Sequence, residues 1–183
     1  MIIVEGPDGA GKTTLVREIC DTFPEVRVGK RGTDNRDFLW KVTVPDTMKA
    51  LSQYALSQGQ VTIWDRLFYS EMIYAPLGMP PRDVMFNPSQ QSHVMRLING
   101  ADFPVILCLP PWELVEENIH KEHQMPGVVE HAHDIYRAYK ALIQRFPDRT
   151  ALYDYSGERW SVPHDEIFGE IQDYIDDKRE RNW

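Results

Sequence analysis

The sequence predicts a three-layer α/β fold, a five-stranded parallel sheet covered by helices on both faces. Three observations predict it. Short apolar runs alternate with stretches of helical spacing along the whole chain. The runs at 1–4 and 105–109 are continuously apolar, as strands buried on both faces are. A glycine-rich turn joins the first run to the first helical stretch, at the edge where open parallel sheets hold their ligands.

Each element has its own signal. Residues 1–4 read as the first strand. Residues 13–23 follow with Leu15, Val16, Ile19 and Cys20 on one helical face, and Pro24 stops them. A short strand is expected at 26–28 and a helix at 46–57, carrying Met48, Leu51, Ala55 and Leu56. Residues 61–64 form a strand that ends at Asp65, and 67–74 a helix. Pro76, Pro80, Pro81 and Pro88 mark a loop. Asn87 as N-cap and Pro88 at the first helical position open a helix to about 99, closed by Gly100. Residues 104–109 are the most hydrophobic strand. Pro111 opens a helix over 112–120, residues 121–129 read as a loop and 129–146 as a helix. A strand at 151–155 and an amphipathic helix at 164–178 complete the alternation. The 183 residues suffice for one domain, 1–183, with a core of its own.

Composition narrows the function classes. Lys and Arg number 20 against 28 Asp and Glu, a formal charge of −8, so the chain is not built as a general polyanion binder. The two cysteines, Cys20 and Cys108, sit in apolar, regularly patterned stretches and read as buried reduced thiols rather than a disulfide. The first residues already form a strand, so no signal peptide is expected. The longest purely apolar run, 105–109, is too short to span a bilayer. The expected location is the cytoplasm, that of a host cell if the protein is viral, with no membrane partner. The oligomeric state is open, a homodimer among the options.

The turn after the first strand reads Gly6-Pro7-Asp8-Gly9-Ala10-Gly11-Lys12-Thr13-Thr14 and fits G-x-x-x-x-G-K-[ST] at every fixed position. Glycines let the backbone curl so that successive N–H groups face phosphate oxygens. The helix that starts near Lys12 adds its positive end. Lys12 supplies a mobile charge for the β- and γ-phosphates, and the Thr13 hydroxyl is placed for Mg²⁺. The fold class sharpens to the P-loop NTPase type, with ATP or GTP, and Mg²⁺, as the expected ligands.

The stretch VTIWDRLFYSEMIYAPL, residues 61–77, says more about the reaction. Asp65 ends a strand that should lie beside the phosphate loop, where it can reach Mg²⁺ through water or orient an acceptor. Arg66 beside it offers a planar fork suited to phosphate. Here the sequence resembles the thymidylate kinase-like P-loop kinases. VEGPDGAGKTT is similar to that family's (F/V)EGxDGxGK(S/T)T, and DRLFYSEMIY to its DRYxxSxxAY. Pro110-Pro111 looks like the family's helix start.

The resemblance implies roles. Lys12 and Thr13 would hold ATP and Mg²⁺, with Asp65 helping to hold the metal. Asp8 would contact the acceptor's sugar hydroxyl and Arg66 its phosphate. Ser70 and Tyr74 would line the acceptor pocket, Glu5 would be partly structural, and residues 154–159 would lie near the adenine. Three departures stand out. Leu67 replaces a tyrosine, Ala75 replaces a base-reading glutamine, and the expected lid, 120–134, contains no arginine. Gly9 and Ala10 mean that the loop carries none either. Lys121 lies in the lid, and Arg137 just beyond it becomes the candidate catalytic cation.

Other features carry less. His120, His123, His131 and His133 cluster near the lid without a matching cysteine or carboxylate set, and read as solvated residues rather than zinc ligands. Arg27, Lys30, Arg31 and Arg36 form a basic patch, and Phe38 and Trp40 beside it could stack on a base or belong to the core. The leading expectation is an ATP-dependent kinase acting on a thymine-type pyrimidine deoxyribonucleotide. An alternative is the activity of small viral relatives, phosphorylation of the hydroxymethyl group of 5-hydroxymethyluracil within DNA during base hypermodification. A nucleotide switch or motor-type ATPase is disfavoured, because Asp65 is followed by Arg66 and not by a glutamate. A non-catalytic P-loop nucleotide-binding protein is the remaining alternative.

Overall fold

A computed structural model of the chain describes residues 1–29, 60–74, 76–77, 89, 92–93, 96, 104–121, 124, 126–143, 150–157 and 162–180. The expected helices at 46–57 and, for the most part, 87–99 lie outside the described residues. So do Lys30, Arg31, Arg36, Phe38, Trp40, Ala75 and His123.

Five strands, β1 (Ile2–Glu5), β2 (Arg27–Val28), β3 (Thr62–Asp65), β4 (Val105–Cys108) and β5 (Thr150–Tyr153), form one sheet in the order β2-β3-β1-β4-β5. Every pairing is parallel. Successive residues of a strand face opposite sides, and every residue of β1 and of β4 is buried, so the sheet is covered on both faces. The helices are α1 (Lys12–Thr22), α2 (Phe68–Tyr74), α3 (Trp112–Ile119), α4 (Ala132–Leu142) and α5 (His164–Glu180). In α5, Ile167, Ile171, Tyr174 and Ile175 make the buried stripe. Asp165 and Glu166 stand in its first turn and Lys178 and Arg179 in its last, complementing the helix dipole.

The register positions the site. Val4 lies opposite Asp65 and Glu5 opposite Leu107, and the Arg66 N–H continues the β1–β3 pairing by donating to Val4 O at 2.8 Å. Glu5, Asp65 and Cys108 thus end their strands at one edge of the sheet, beside the glycine-rich turn.

Several boundaries differ from those expected, each for a physical reason. Strand β5 ends at Tyr153, two residues early, because the Asp154 carboxylate accepts bonds from Ser156 N–H at 2.8 Å and Ser156 Oγ at 2.7 Å and turns the chain. Helix α4 begins at Ala132 and not at 129. Gly127, at φ 87°, shapes a turn before it, and Val128 is a fully buried anchor of that turn. Its apolar side chain mimics a helical position. Cys108 is buried but Cys20 is only half-buried, which corrects the expectation for that thiol; both are free. Among the described residues no helix is long and apolar enough to cross a membrane.

Candidate active site

The phosphate-loop wall is built almost wholly from backbone. Gly6, at φ 146°, passes so close to β4 that a Cβ there would lie 2.3 Å from the Cys108 carbonyl oxygen. Pro7 and Asp8 follow, and Ala10 is fully buried, its N–H turned toward Pro7 O at 3.4 Å. The Lys12 side chain folds back over the loop and donates from Nζ to Pro7 O at 2.6 Å. Burial lowers its pKa, the Arg66 charge lowers it further, and Asp8 and Asp65 oppose both. The loop is braced from outside: Asn118 Nδ2 of α3 donates to Gly9 O at 3.2 Å and to Tyr155 Oη at 2.8 Å. The Tyr155 ring lies against Gly11. Lys121 reaches the Asn118 amide oxygen at 3.0 Å and Glu117 at 2.7 Å.

Between the walls, Thr13 Oγ donates to Asp65 Oδ2 at 3.0 Å, while Thr14 beside it is exposed. Asp65 Oδ1 is buried with no hydrogen-bond partner among the described residues. A buried carboxylate oxygen left unpaired is costly. A hard cation or its bound water would satisfy it, so the hydroxyl and carboxylate present fit Mg²⁺, which keeps most of its ligands as water and phosphate oxygens. Among the described residues no group of three or more His, Cys, Asp or Glu could hold a metal ion by itself.

The opposite wall is made of side chains. Arg66 adopts φ 65°, the left-handed region, and is the non-glycine residue found there among the described residues. Its Nη2 donates to Asp8 Oδ1 at 2.6 Å and its Nη1 to Tyr139 Oη at 3.0 Å. Its guanidinium carbon also stands 5.2 Å from the centre of the Tyr74 ring. Tyr74 Oη donates to Asp8 Oδ2 at 2.7 Å. Burial would raise the Asp8 carboxyl, but the charges of Arg66 and Lys12 and the bonds from Tyr74 and Arg66 outweigh it and hold the group below its usual range. The Arg66 guanidinium is also desolvated, yet Asp8 and its other neighbours raise its pKa, so it stays charged.

Glu5 organises this wall from beneath. Fully buried at the end of β1, it accepts bonds from Leu67 N–H at 2.7 Å, Ser70 N–H at 3.4 Å, Ser70 Oγ at 2.7 Å and Tyr139 Oη at 3.2 Å. It thereby holds the first turn of α2 and the strained Arg66 that precedes it. Leu67 is buried in the core.

The structure therefore brings the side chains of Asp8, Arg66, Ser70 and Tyr74 together on one side, with the rest of the loop from Gly6 to Thr14 and Asp65 on the other. It does not bring Arg137 there. That side chain is exposed, and its position is about 160° round α4 from the inward-facing Tyr139. Lys121, by contrast, is linked through Asn118 to Gly9. His133 is exposed with its ring against Trp112, centroids 5.0 Å apart. The sequence reading missed Tyr139 and Asn118. Tyr139 carried a signal: it continues the buried stripe of Ala132 and Ile135, where a tyrosine hydroxyl needs a polar partner. Asn118 carried none.

Fold and loop define a protein of the P-loop NTPase type. The chain belongs to the AAA domain family, which it matches over residues 1–142. No curated protein matches the sequence. Among solved structures it is similar to the YorR protein of Bacillus subtilis in complex with phosphorylated GDP, at 17% identity and a TM-score of 0.63, covering 98% of this chain and 97% of that one. It is also similar to deoxyadenosine kinase from M. mycoides with bound dATP, at 16% identity and a TM-score of 0.57, covering 96% and 98%. At such identities the likeness is one of fold.

Proposed function

We propose that this chain is an ATP-dependent phosphotransferase of the thymidylate kinase-like kind, moving the γ-phosphate of ATP to the 5′-phosphate of a pyrimidine deoxyribonucleotide. The observation that carries the choice of acceptor is the condition of the three carboxylates. Glu5 is sealed in the core among four donors, Asp65 is engaged with Thr13 at the metal position, and Asp8 is held ionised below its usual range. None of these three is left to take a proton from an acceptor: Glu5 is saturated by donors, Asp65 stands at the metal position with Thr13, and Asp8 is held by Arg66 and Tyr74. A phosphate acceptor needs no base, because its oxygen is already ionised. A hydroxyl acceptor, on a nucleoside or on a hydroxymethyl base in DNA, needs one, and so does the water of a motor-type ATPase.

In this reading Lys12 leaves Pro7 O for the β- and γ-phosphates. Thr13 and Asp65 would hold Mg²⁺, which supplies charge neutralisation across those phosphates when bound. Arg66 grips the acceptor phosphate and Asp8 with Tyr74 positions the acceptor's sugar. The acceptor oxygen attacks the γ-phosphorus in line as the bond to the bridging oxygen breaks, and ADP leaves with that electron pair. The family match and the two nucleotide-bound structures support nucleotide chemistry in general; the thymine-type acceptor is supported by the DRLFYSEMIY resemblance.

The test supplies γ-labelled ATP with thymidylate, deoxyuridylate, thymidine and hydroxymethyluracil-containing DNA in parallel. Label in the diphosphates of the free nucleotides is the expected result. Label only in thymidine or in DNA overturns the acceptor assignment, and label in none with ATP still bound overturns catalysis itself.

A further inference from the structure

We propose that Tyr139 is a positioning residue for Arg66, tying the arginine's aim to the seat of helix α4. The juxtaposition that carries this is one hydroxyl among three polar groups from three other elements. Tyr139 Oη accepts from Arg66 Nη1 at 3.0 Å, lies 2.9 Å from Ser70 Oγ and donates to Glu5 Oε2 at 3.2 Å. A phenol has one hydrogen to give and two lone pairs to receive with. Glu5 accepts only, and Arg66 donates only. Tyr139 therefore accepts from Arg66 and gives its one hydrogen toward Glu5, either directly or through Ser70 Oγ, which itself donates to Glu5 Oε2 at 2.7 Å. Glu5 is itself anchored by the Leu67 and Ser70 N–H groups, so the phenol oxygen rests on backbone.

Arg66 is consequently held at both ends of its fork, Nη2 on Asp8 and Nη1 on Tyr139 at 3.0 Å, with Ser70 Oγ a longer contact of the same nitrogen at 3.5 Å. Anchors at both ends set the plane of a guanidinium, and Tyr139 supplies the shorter of the Nη1 bonds to Tyr139 and Ser70. Planar alignment is what a two-point grip on phosphate requires. The Tyr139 ring is fully buried on a helix face otherwise contributed by Ala132 and Ile135. Phenylalanine would fill that packing role without a hydroxyl to satisfy. Burial, with the Glu5 charge adding to it, keeps the phenol protonated and able to donate.

The kinetic consequence rests on the kinase reading; the geometric one does not, and the experiment separates them. In ¹⁵N spectra of the wild-type protein the Arg66 guanidinium, assigned by its loss in Arg66→Lys, should show restricted rotation of its terminal nitrogens. Tyr139→Phe should measurably speed that rotation. With thymidylate as acceptor, Tyr139→Phe should raise the acceptor KM about tenfold, a usual consequence of losing one hydrogen bond to a charged group. The ATP KM should stay within about twofold. A freely rotating Arg66 in the wild type overturns the proposal whether or not the variant folds. So does an unchanged guanidinium in Tyr139→Phe, or a rise in both KM values with a matching fall in Tm, which marks a merely structural tyrosine. If the wild type phosphorylates no acceptor, the kinase reading fails, and the spectra alone decide for or against the positioning role.

Discussion

The phosphate-loop wall comes from one unbroken stretch, Gly6 to Thr14, whereas the arginine wall is assembled from β1, the loop, the β3–α2 junction, α2 and α4. The first wall presents mainly backbone, and its one strong side chain, Lys12, is parked on a carbonyl of the same loop. The second presents side chains whose positions depend on one another, with Glu5, Ser70, Tyr139, Arg66, Asp8 and Tyr74 bonded in succession. A wall of backbone should tolerate change around it and fail only where its mobile charge is removed. A wall of linked side chains should transmit the loss of any member to Arg66.

The sharpest break in the comparison is Lys12→Ala. Transfer to every acceptor should fall by about 10²–10³-fold, as when one preorganised charge partner of a transition state is lost. Acceptor binding measured without ATP should be unchanged. Weaker acceptor binding in this variant would mean that the two walls are not separable. Next in size is Arg66→Ala, with an acceptor KM raised about 10–100-fold and an ATP KM near the wild-type value. Arg66→Lys should recover little of this, because an ammonium cannot reach Asp8 and Tyr139 together. Steady-state kinetics with each substrate varied in turn would show an equal rise in both KM values if Arg66 served the donor.

A smaller effect separates the walls by pH. The folded-state pKa of Asp8 lies below its unfolded value, near about 3.9. Its ionised form therefore adds stability that is fully present above that value and is lost as pH falls through the lower folded one. The Tm advantage of the wild type over Asp8→Asn should be constant from about pH 5 to 8 and shrink below about pH 4. Melting curves across that range check it, and an advantage that grows with acid would reverse the assigned sign. The smallest effect belongs to Asn118→Ala, which removes an external brace of the loop. The ATP KM should rise about two- to fivefold with no change for the acceptor, the cost of one neutral hydrogen bond at a partly exposed site.

The same contrast explains what could be read without coordinates. The alternation of strands and helices and the whole phosphate loop were legible, because each depends on residues adjacent in sequence. Asp65 was also legible, since a strand-end position beside the loop follows from the parallel sheet. Arg66, Asp8, Ser70 and Tyr74 were named through motifs, but their mutual bonds were not foreseeable. Those bonds depend on an arginine at φ 65° and on a carboxylate three residues past the end of β1. Tyr139 lies 73 residues from Arg66, and no local rule connects them. Arg137 stands out in the sequence only as the arginine just beyond the lid. The buried stripe of α4, once fixed by Ile135 and Tyr139, turns position 137 toward solvent.

The positive φ of Arg66 has a consequence for how such a protein can drift. Glycine or asparagine would occupy that backbone conformation at about 1 kcal/mol less strain. Arginine is kept there against the local preference of its own backbone, and Asp8 beside it would lose its ion-pair partner and keep the Tyr74 hydroxyl if the arginine alone were replaced. A change at one position therefore favours a change at the other. A descendant chain that gave up its chemistry would be free to take a glycine at 66 and a neutral residue at 8, and would gain stability by doing so. The residue pair at these two positions is accordingly a mark, readable in sequence, of whether the arginine is still in use.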